Sequence, residues 1–231
     1  TEGSSNFAGS IISTVSANTT AGFSVVTYTG NATAGATVGH GLGVAPAMVI
    51  VKSRSATESW EVAHQSLAAT QTIRLNSTAA ASTTADFNNT RPSATVFTIG
   101  SYTGTNQNSG TYVSYCFAGV EGYSKISSYI GNGSTDGPFI YTGFRPAFIM
   151  FRSTILCNWV IVDSARSTFN VMDDSLYPNT SGSEITTITA VDFLSNGFKW
   201  RANLPNETNA SGQTYIYMAF AENPFKNSNA R

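Results

Sequence analysis

Charge is what this chain lacks most. Only 11% of its 231 residues are Asp, Glu, Lys or Arg, well under half the roughly 25% of an ordinary globular domain. The net charge is -1 and the 12 basic residues are scattered. No basic stripe is present to attract nucleic acid or an anionic membrane surface, so neither is expected as a partner. Histidine and cysteine are equally scarce, at 2 residues each. That gives no metal-binding His/Cys cluster and no disulfide framework. Cys116 and Cys157 sit in the apolar words SYCFA and ILCNW and read as small buried thiols. No apolar run approaches the ~20 residues of a membrane-spanning helix, so no membrane insertion is expected. The chain opens on Thr, with no signal-peptide pattern behind it, and reads as a processed product or a segment of a longer polypeptide.

What fills the space is Ser, Thr, Asn, Ala and Gly around short runs of β-branched and aromatic residues. FSVVTYT (23–29), AMVIVK (47–52), QTIRL (71–75), TVFTI (95–99) and TYVSYCF (111–117) are such runs. FIYT (139–142), FIMFR (148–152), WVIVD (159–163) and YIYMAF (215–220) follow. This pattern predicts an all-β sandwich or barrel. The best helical candidate, TAAASTTAD (78–86), is alanine-rich but has no apolar stripe and reads as a loop.

The pattern runs twice. Tyr28 to Asn31 (YTGN) answers Tyr129 to Asn132 (YIGN). GVAPAMVIVKS, from Gly43, answers GFRPAFIMFRS, from Gly143, so Pro46 matches Pro146 and Lys52 matches Arg152. Trp60 answers Trp159, Phe97 answers Phe198, and Tyr112 answers Tyr215. Gly43, Pro46, Trp60, Gly143, Pro146 and Trp159 are therefore read as the structural anchors of two duplicated β units. The expected organisation is an exposed N-terminal connector (1–22), a first unit (23–122), a second unit packed tightly on the first (123–226) and a short tail (227–231).

The repeat also weighs the candidate sites. His40, in GHGLG, has a general base's chemistry, but the matching stretch PFIYTGF has no histidine. It is read as structural. The glycines around it lead to Pro46 and a strand, not to a helix N-terminus and a lysine, so they are no phosphate loop. His64 and Asp163 stand four residues after Trp60 and Trp159, on the tryptophan face of their strands. Two-fold packing of the units would let them approach; the simpler reading is a polar strand end. Asp173 and Asp174 form the densest acidic cluster, where calcium is conceivable, but no calcium-loop spacing accompanies them. No cofactor is expected. Trp200, between Lys199 and Arg201, is the tryptophan read as exposed. Trp200, Asp173, Asp174, Tyr177 and Asn179 are the candidate glycan contacts, through flat apolar stacking and hydroxyl hydrogen bonds.

The words GHGLGVAP, YCFAGVEGYSK, GNGSTDGPF, TGFRPAF and AFAENPF, spread from Asn18 to Lys226, resemble a domain of unassigned biochemical function. That domain recurs in marine bacteriophage virion and tail-fibre-like proteins. The resemblance implies a lectin-like, jelly-roll β-sandwich on a virion or extracellular surface. It also implies other virion subunits as partners, with trimers by analogy to fibres, and host-surface glycan as a ligand. A charge-poor surface suits seawater, where Debye lengths of roughly 3–8 Å make charge a poor tool.

Three functions follow as expectations. The first is a virion surface or tail-fibre module that binds host glycan, without catalysis. The second is a purely structural decoration or fibre protein. The third is a glycan-degrading enzyme, which needs two carboxylates about 5–10 Å apart in a cleft; Asp163, Asp173, Asp174, Glu184 and Asp192 are the acids available in the second unit.

Overall fold

The computed structural model describes residues 2–186, 190–202 and 207–224. The tail expected at 227–231 lies outside the described residues. The fold is all-β and the described sheets are antiparallel. The chain divides into two compact units, residues 1–75 with 81–119, and residues 76–80 with 120–231.

The first unit runs β1 (Ser4–Asn6), β2 (Ser13–Asn18), β3 (Phe23–Thr29), β4 (Ala36–Gly39), β5 (Met48–Ser53), β6 (Trp60–His64), β7 (Gln71–Arg74), β8 (Ser82–Thr83), β9 (Val96–Ile99), α1 (Thr103–Asn106) and β10 (Thr111–Phe117). Its large sheet has the order β1-β2-β3-β10-β5-β6-β7-β8, and β4 pairs with β9 as a second sheet. Alternation builds the layer between them: Val26 and Tyr28 of β3, with Tyr112 and Cys116 of β10, meet Val38, Phe97 and Ile99 of the small sheet in one core.

The second unit runs β11 (Ser124–Ile130), β12 (Phe139–Tyr141), β13 (Pro146–Ser153), β14 (Val160–Asp163), β15 (Val191–Leu194), β16 (Gly197–Trp200) and β17 (Thr214–Ala221). Its sheets are β11-β17-β13-β14 and β12-β16-β15. The first repeats the order β3-β10-β5-β6, and β12-β16 repeats β4-β9. Registers repeat as well: Tyr112 faces Tyr28 and Ser53, while Tyr215 faces Tyr129 and Ser153. Gly43 and Gly143 both have positive φ, 75° and 90°, and each opens the turn into its proline-led strand.

One buried constellation is copied almost bond for bond. Tyr28 stacks on Tyr112 at 5.1 Å and donates its hydroxyl to Thr105 O at 2.7 Å. Tyr129 stacks on Tyr215 at 4.9 Å and donates to Thr208 O at 2.7 Å. The next residue is a buried asparagine in both units. Asn106 accepts the Asn31 N–H at 2.8 Å and donates to Thr33 O and Gly100 O at 2.9 and 2.7 Å. Asn209 accepts the Asn132 N–H at 2.8 Å and donates to Asn132 Oδ1 and Ser134 O at 2.8 and 2.7 Å. Each carboxamide thereby satisfies main-chain groups of the loop that leads into β4 or β12.

Two expectations are corrected, and the reading of both cysteines as buried thiols holds. The N-terminal residues are not an exposed connector: β1 and β2 extend the large sheet, and Ile11, Ser13 and Val15 are buried. The alanine-rich stretch is neither helix nor simple loop. Residues 76–80 belong with the second unit, where the buried Arg152 guanidinium donates to Ser77 O, Thr78 O and Ala79 O at 3.0, 3.2 and 2.8 Å, while Ser82 and Thr83 form β8. Cys116 and Cys157 are both buried and unpaired with each other.

Replacing a fully bonded buried carboxamide strands its partners, at about 1–3 kcal/mol for each group left unsatisfied. Asn106→Ala and Asn209→Ala are therefore each expected to lower stability by about 3 kcal/mol, and Asn→Asp, which accepts but cannot donate, should fail to rescue. Urea unfolding monitored by tyrosine fluorescence checks this; losses near zero would refute the anchoring role.

Candidate functional site

The duplication settles what the histidines do. Pairing Val38 with Phe97 and Ile140 with Phe198 makes His40 the counterpart of Thr142. His40 Nδ1 accepts the Leu42 N–H at 3.2 Å, and Thr142 Oγ1 accepts the Phe144 N–H at 3.4 Å. The two side chains perform the same turn-capping job. His40 is buried, its Nε2 lies 3.2 Å from Ser93 O, and burial pushes its pKa below the usual value. His64 and Asp163 are likewise equivalent. His64 Nδ1 accepts the Ser66 N–H at 3.1 Å, and Asp163 Oδ1 accepts the Ala165 N–H at 3.1 Å. Both histidines hold turns, which a threonine or an aspartate holds in the other unit.

The expected glycan residues are each engaged within the fold. Trp200 is 0% exposed, in the core beside Phe151, Phe198 and Tyr129. The strand period explains the correction: Phe198 and Trp200 point inward together, so Lys199 takes the outer face. Ser167 Oγ accepts the Asp173 and Asp174 N–H groups at 3.3 and 3.1 Å and lies 3.4 and 3.2 Å from their carboxylates, which makes them a pinned turn. Tyr177 donates to Glu207 Oε2 at 2.8 Å, and Asn179 accepts the Trp159 N–H at 2.9 Å. Trp60 is half-buried and stacks on Tyr115, whereas Trp159 is buried with the Arg152 guanidinium 5.4 Å from its ring centroid.

A pair of exposed aromatics lies opposite Trp200, on the outer face of β12-β16-β15; Phe7 and Phe169 are exposed singly elsewhere. Ile140 points into the core, so its neighbours Phe139 and Tyr141 point out, at 44% and 64% exposure. Two residues along a strand separate the rings' Cα atoms by about 7 Å. Phe139 faces Lys199 and then Asp192 across the sheet; Tyr141 faces Gly197 and then Leu194. Gly197 offers no side chain, and the edge of the Phe139 ring occupies the space beside it: a Cβ there would meet Ile140 O and, at 2.9 Å, the Phe139 ring. Two ion pairs flank the rings: Lys199 Nζ to Asp136 Oδ1 at 2.7 Å and Arg201 Nε to Asp192 Oδ2 at 2.5 Å. Lys199 holds the exposed Asp136 carboxyl below the usual carboxylate range. β12 is the edge of its sheet.

The same edge in the first unit is sealed. There the N-terminal segment runs along β4: Ile11 N–H donates to Thr37 O at 3.0 Å, Ser10 and Thr37 exchange bonds of 2.9 Å, and Ser13 Oγ donates to Gly39 O at 2.9 Å. Thr37 and Gly39 are the counterparts of Phe139 and Tyr141. A Cβ at Gly39 would collide with the Asn6 carboxamide. A tyrosine at that position excludes such a cover, so the aromatic pair and the covering strand are mutually exclusive. The sequence signal was a small-residue strand, ATVG, replaced by FIY in the second copy.

Residues 1–224 match the family model of a domain of unknown function, DUF7483. The chain belongs to the DUF7483 family. No curated protein and no solved structure matches it.

Several acids of this DUF7483 chain are held in ion pairs. Arg166 bridges Asp163 at 2.8 Å and Glu184 at 2.9 Å, and Asp192 is held by Arg201. Among the described residues no group of three or more His, Cys, Asp or Glu side chains is gathered for a metal. The most perturbed carboxyl is in the first unit. Glu61 is fully buried on β6, and burial, with the nearby Asp86 carboxyl, pushes its pKa up to about 7 against the pull of Arg74, whose Nε lies 3.2 Å away. Tyr102 and Glu58 lie on the same side, joined at 3.3 Å.

A carboxyl whose pKa is raised by folding binds more protons folded than unfolded between its two pKa values. Stability therefore falls as pH rises from about 4.5 to about 7, by on the order of 3 kcal/mol in the limit. Thermal unfolding from pH 5 to 8 should show this decline in wild type. Glu61→Gln, which mimics the neutral acid, should flatten it; an unchanged slope in the variant would remove Glu61 as its origin.

Proposed function

We propose that this DUF7483 chain is a surface-adhesion module that binds saccharide on the outer face of β12-β16-β15. We propose further that it serves as a virion surface or tail-fibre component, in a lectin-like use of its β-sandwich. The observation that carries the reading is the exposed pair Phe139 and Tyr141, at a position where the first unit closes itself with its own N-terminus. Two rings on one strand face suit the flat apolar faces of successive sugar rings. The flanking Lys199, Asp136 and Arg201, and the polar groups of the β12 edge, suit the hydroxyls around them. No chemistry is required of the site, and none of its charged groups is left without an opposite partner. The virion role rests on the sequence resemblance and on a neutral polar surface suited to salt water.

Each stacked ring contributes on the order of 1 kcal/mol. Wild-type protein is expected to bind a subset of host-surface glycans on an array. Phe139→Ala and Tyr141→Ala should each weaken that binding several-fold, and the double variant by about thirtyfold. Tyr141→Phe should retain most of it, because the ring remains. Array binding that survives the double alanine variant moves the site elsewhere. Absence of binding to any host glycan, with the fold intact by circular dichroism, leaves a purely structural role.

A further inference from the structure

A cavity of about 210 Å³ opens in the first unit, between the turn after β6 and residues 87–92. Its walls are the methyl groups of alanines, among them Ala63 and Ala69, with Pro46, Phe87 and Pro92. Its polar lining is His64, Gln65, Gln71, Thr90 and Arg91, and none of the lining residues is acidic. Gln71 Oε1 is taken by the Ala68 N–H at 3.3 Å, and His64 Nδ1 by the Ser66 N–H at 3.1 Å.

Arg91 decides the chemistry. Its guanidinium is fixed by donating to His64 O at 2.8 Å and to Leu67 O. Both acceptors are neutral carbonyls, and among the described residues no carboxylate pairs with it. A side chain with five donors has used two of them on the turn and keeps three. The result is a positioned, uncompensated cation at the edge of a methyl-lined cavity, and such preorganisation lowers the entropic cost of binding an anion. The size limits the guest, since sites for drug-sized molecules begin near 300 Å³. The turn pinned by Arg91 is replaced in the second unit by one pinned through Asp163 and Arg166, so the duplication does not require this arrangement for folding.

We infer that this cavity is a second binding site, for a small aliphatic carboxylate whose oxygens meet the Arg91 guanidinium and whose alkyl end lies among the alanine methyls. The site is independent of the saccharide face. The test titrates the full chain, labelled at alanine methyls, with sodium butyrate and, at matched ionic strength, with butyramide, its neutral counterpart of the same shape. Butyrate should shift the Ala63 and Ala69 methyl resonances saturably, and butyramide should bind at least tenfold more weakly. Arg91→Gln should reduce butyrate to the butyramide level. Because Arg91 also anchors a turn, Ala69→Leu serves as a second variant: it fills the cavity, leaves the guanidinium in place and should abolish the shifts. Absence of saturable shifts in wild type at tens of millimolar, equal binding of butyramide, or undiminished binding by Ala69→Leu would each overturn the assignment.

Discussion

A single buried carboxamide in each unit fixes the geometry on which everything else depends. Asn106 and Asn209 reach from the turn before the last strand of their units into the loop that follows the first repeated strand. In that loop main-chain groups have no sheet partner, and burying them unbonded would cost more than most single contacts return. The asparagine supplies an acceptor and two donors at once, which no other side chain of that size except glutamine can do. It thereby sets where the next strand begins. In the second unit that strand is β12, so the aromatic face rests on Asn209: the Gly137 N–H bonds to Trp200 O at 3.1 Å, and two residues later Phe139 emerges.

The second theme is how one scaffold is finished in two ways. A strand at the edge of a small sheet is a liability, because its free main-chain groups invite unwanted pairing. The first unit covers β4 with the N-terminal segment and keeps Gly39 small so that Asn6 can lie against it. The second unit ends its sheet on bulky exposed rings. Tyr141 prevents another copy of the covering segment from docking as it does on β4. These rings occupy the place of a cover and remain in contact with solvent.

Much of the architecture was legible in the sequence because it depends on local rules. Alternating β-branched and aromatic runs between glycine, asparagine and proline gave the strands, and the matching words around Gly43 and Gly143 gave two units. The assignment of His40 as structural followed from a histidine missing in the second copy, and the shared turn cap with Thr142 supplies its reason. Three features were hidden for physical reasons. The parity of FKWR is invisible without knowing which face is covered, and Trp200 went to the wrong side by one residue. The N-terminal residues are small and polar, which resembles a connector, yet Ser13 and Ser10 make bonds to β4 that only the folded sheet reveals. The Thr-Asn pair at 105–106 and 208–209 is two polar residues in loop-like sequence, and nothing local marks them as fully buried.

The scarcity of charge explains which kind of recognition is left to this surface. Ionisable groups are few, and several of those in the second unit are spent in pairs: Lys199 with Asp136, Arg201 with Asp192, Arg166 between Asp163 and Glu184. Exposed pairs of this kind contribute little to stability, and they cancel the long-range field that would draw in a charged partner. At high ionic strength even an unpaired charge would be screened within a few ångströms. Stacking and hydroxyl hydrogen bonds keep their strength under those conditions, since apolar contact is not screened and is strengthened when salt is excluded from the surface. A neutral, ring-bearing face beside internally balanced ion pairs is therefore a design suited to uncharged polyhydroxyl ligands. Arg91 differs from these paired cations: its guanidinium is held by two neutral carbonyls at the edge of a cavity.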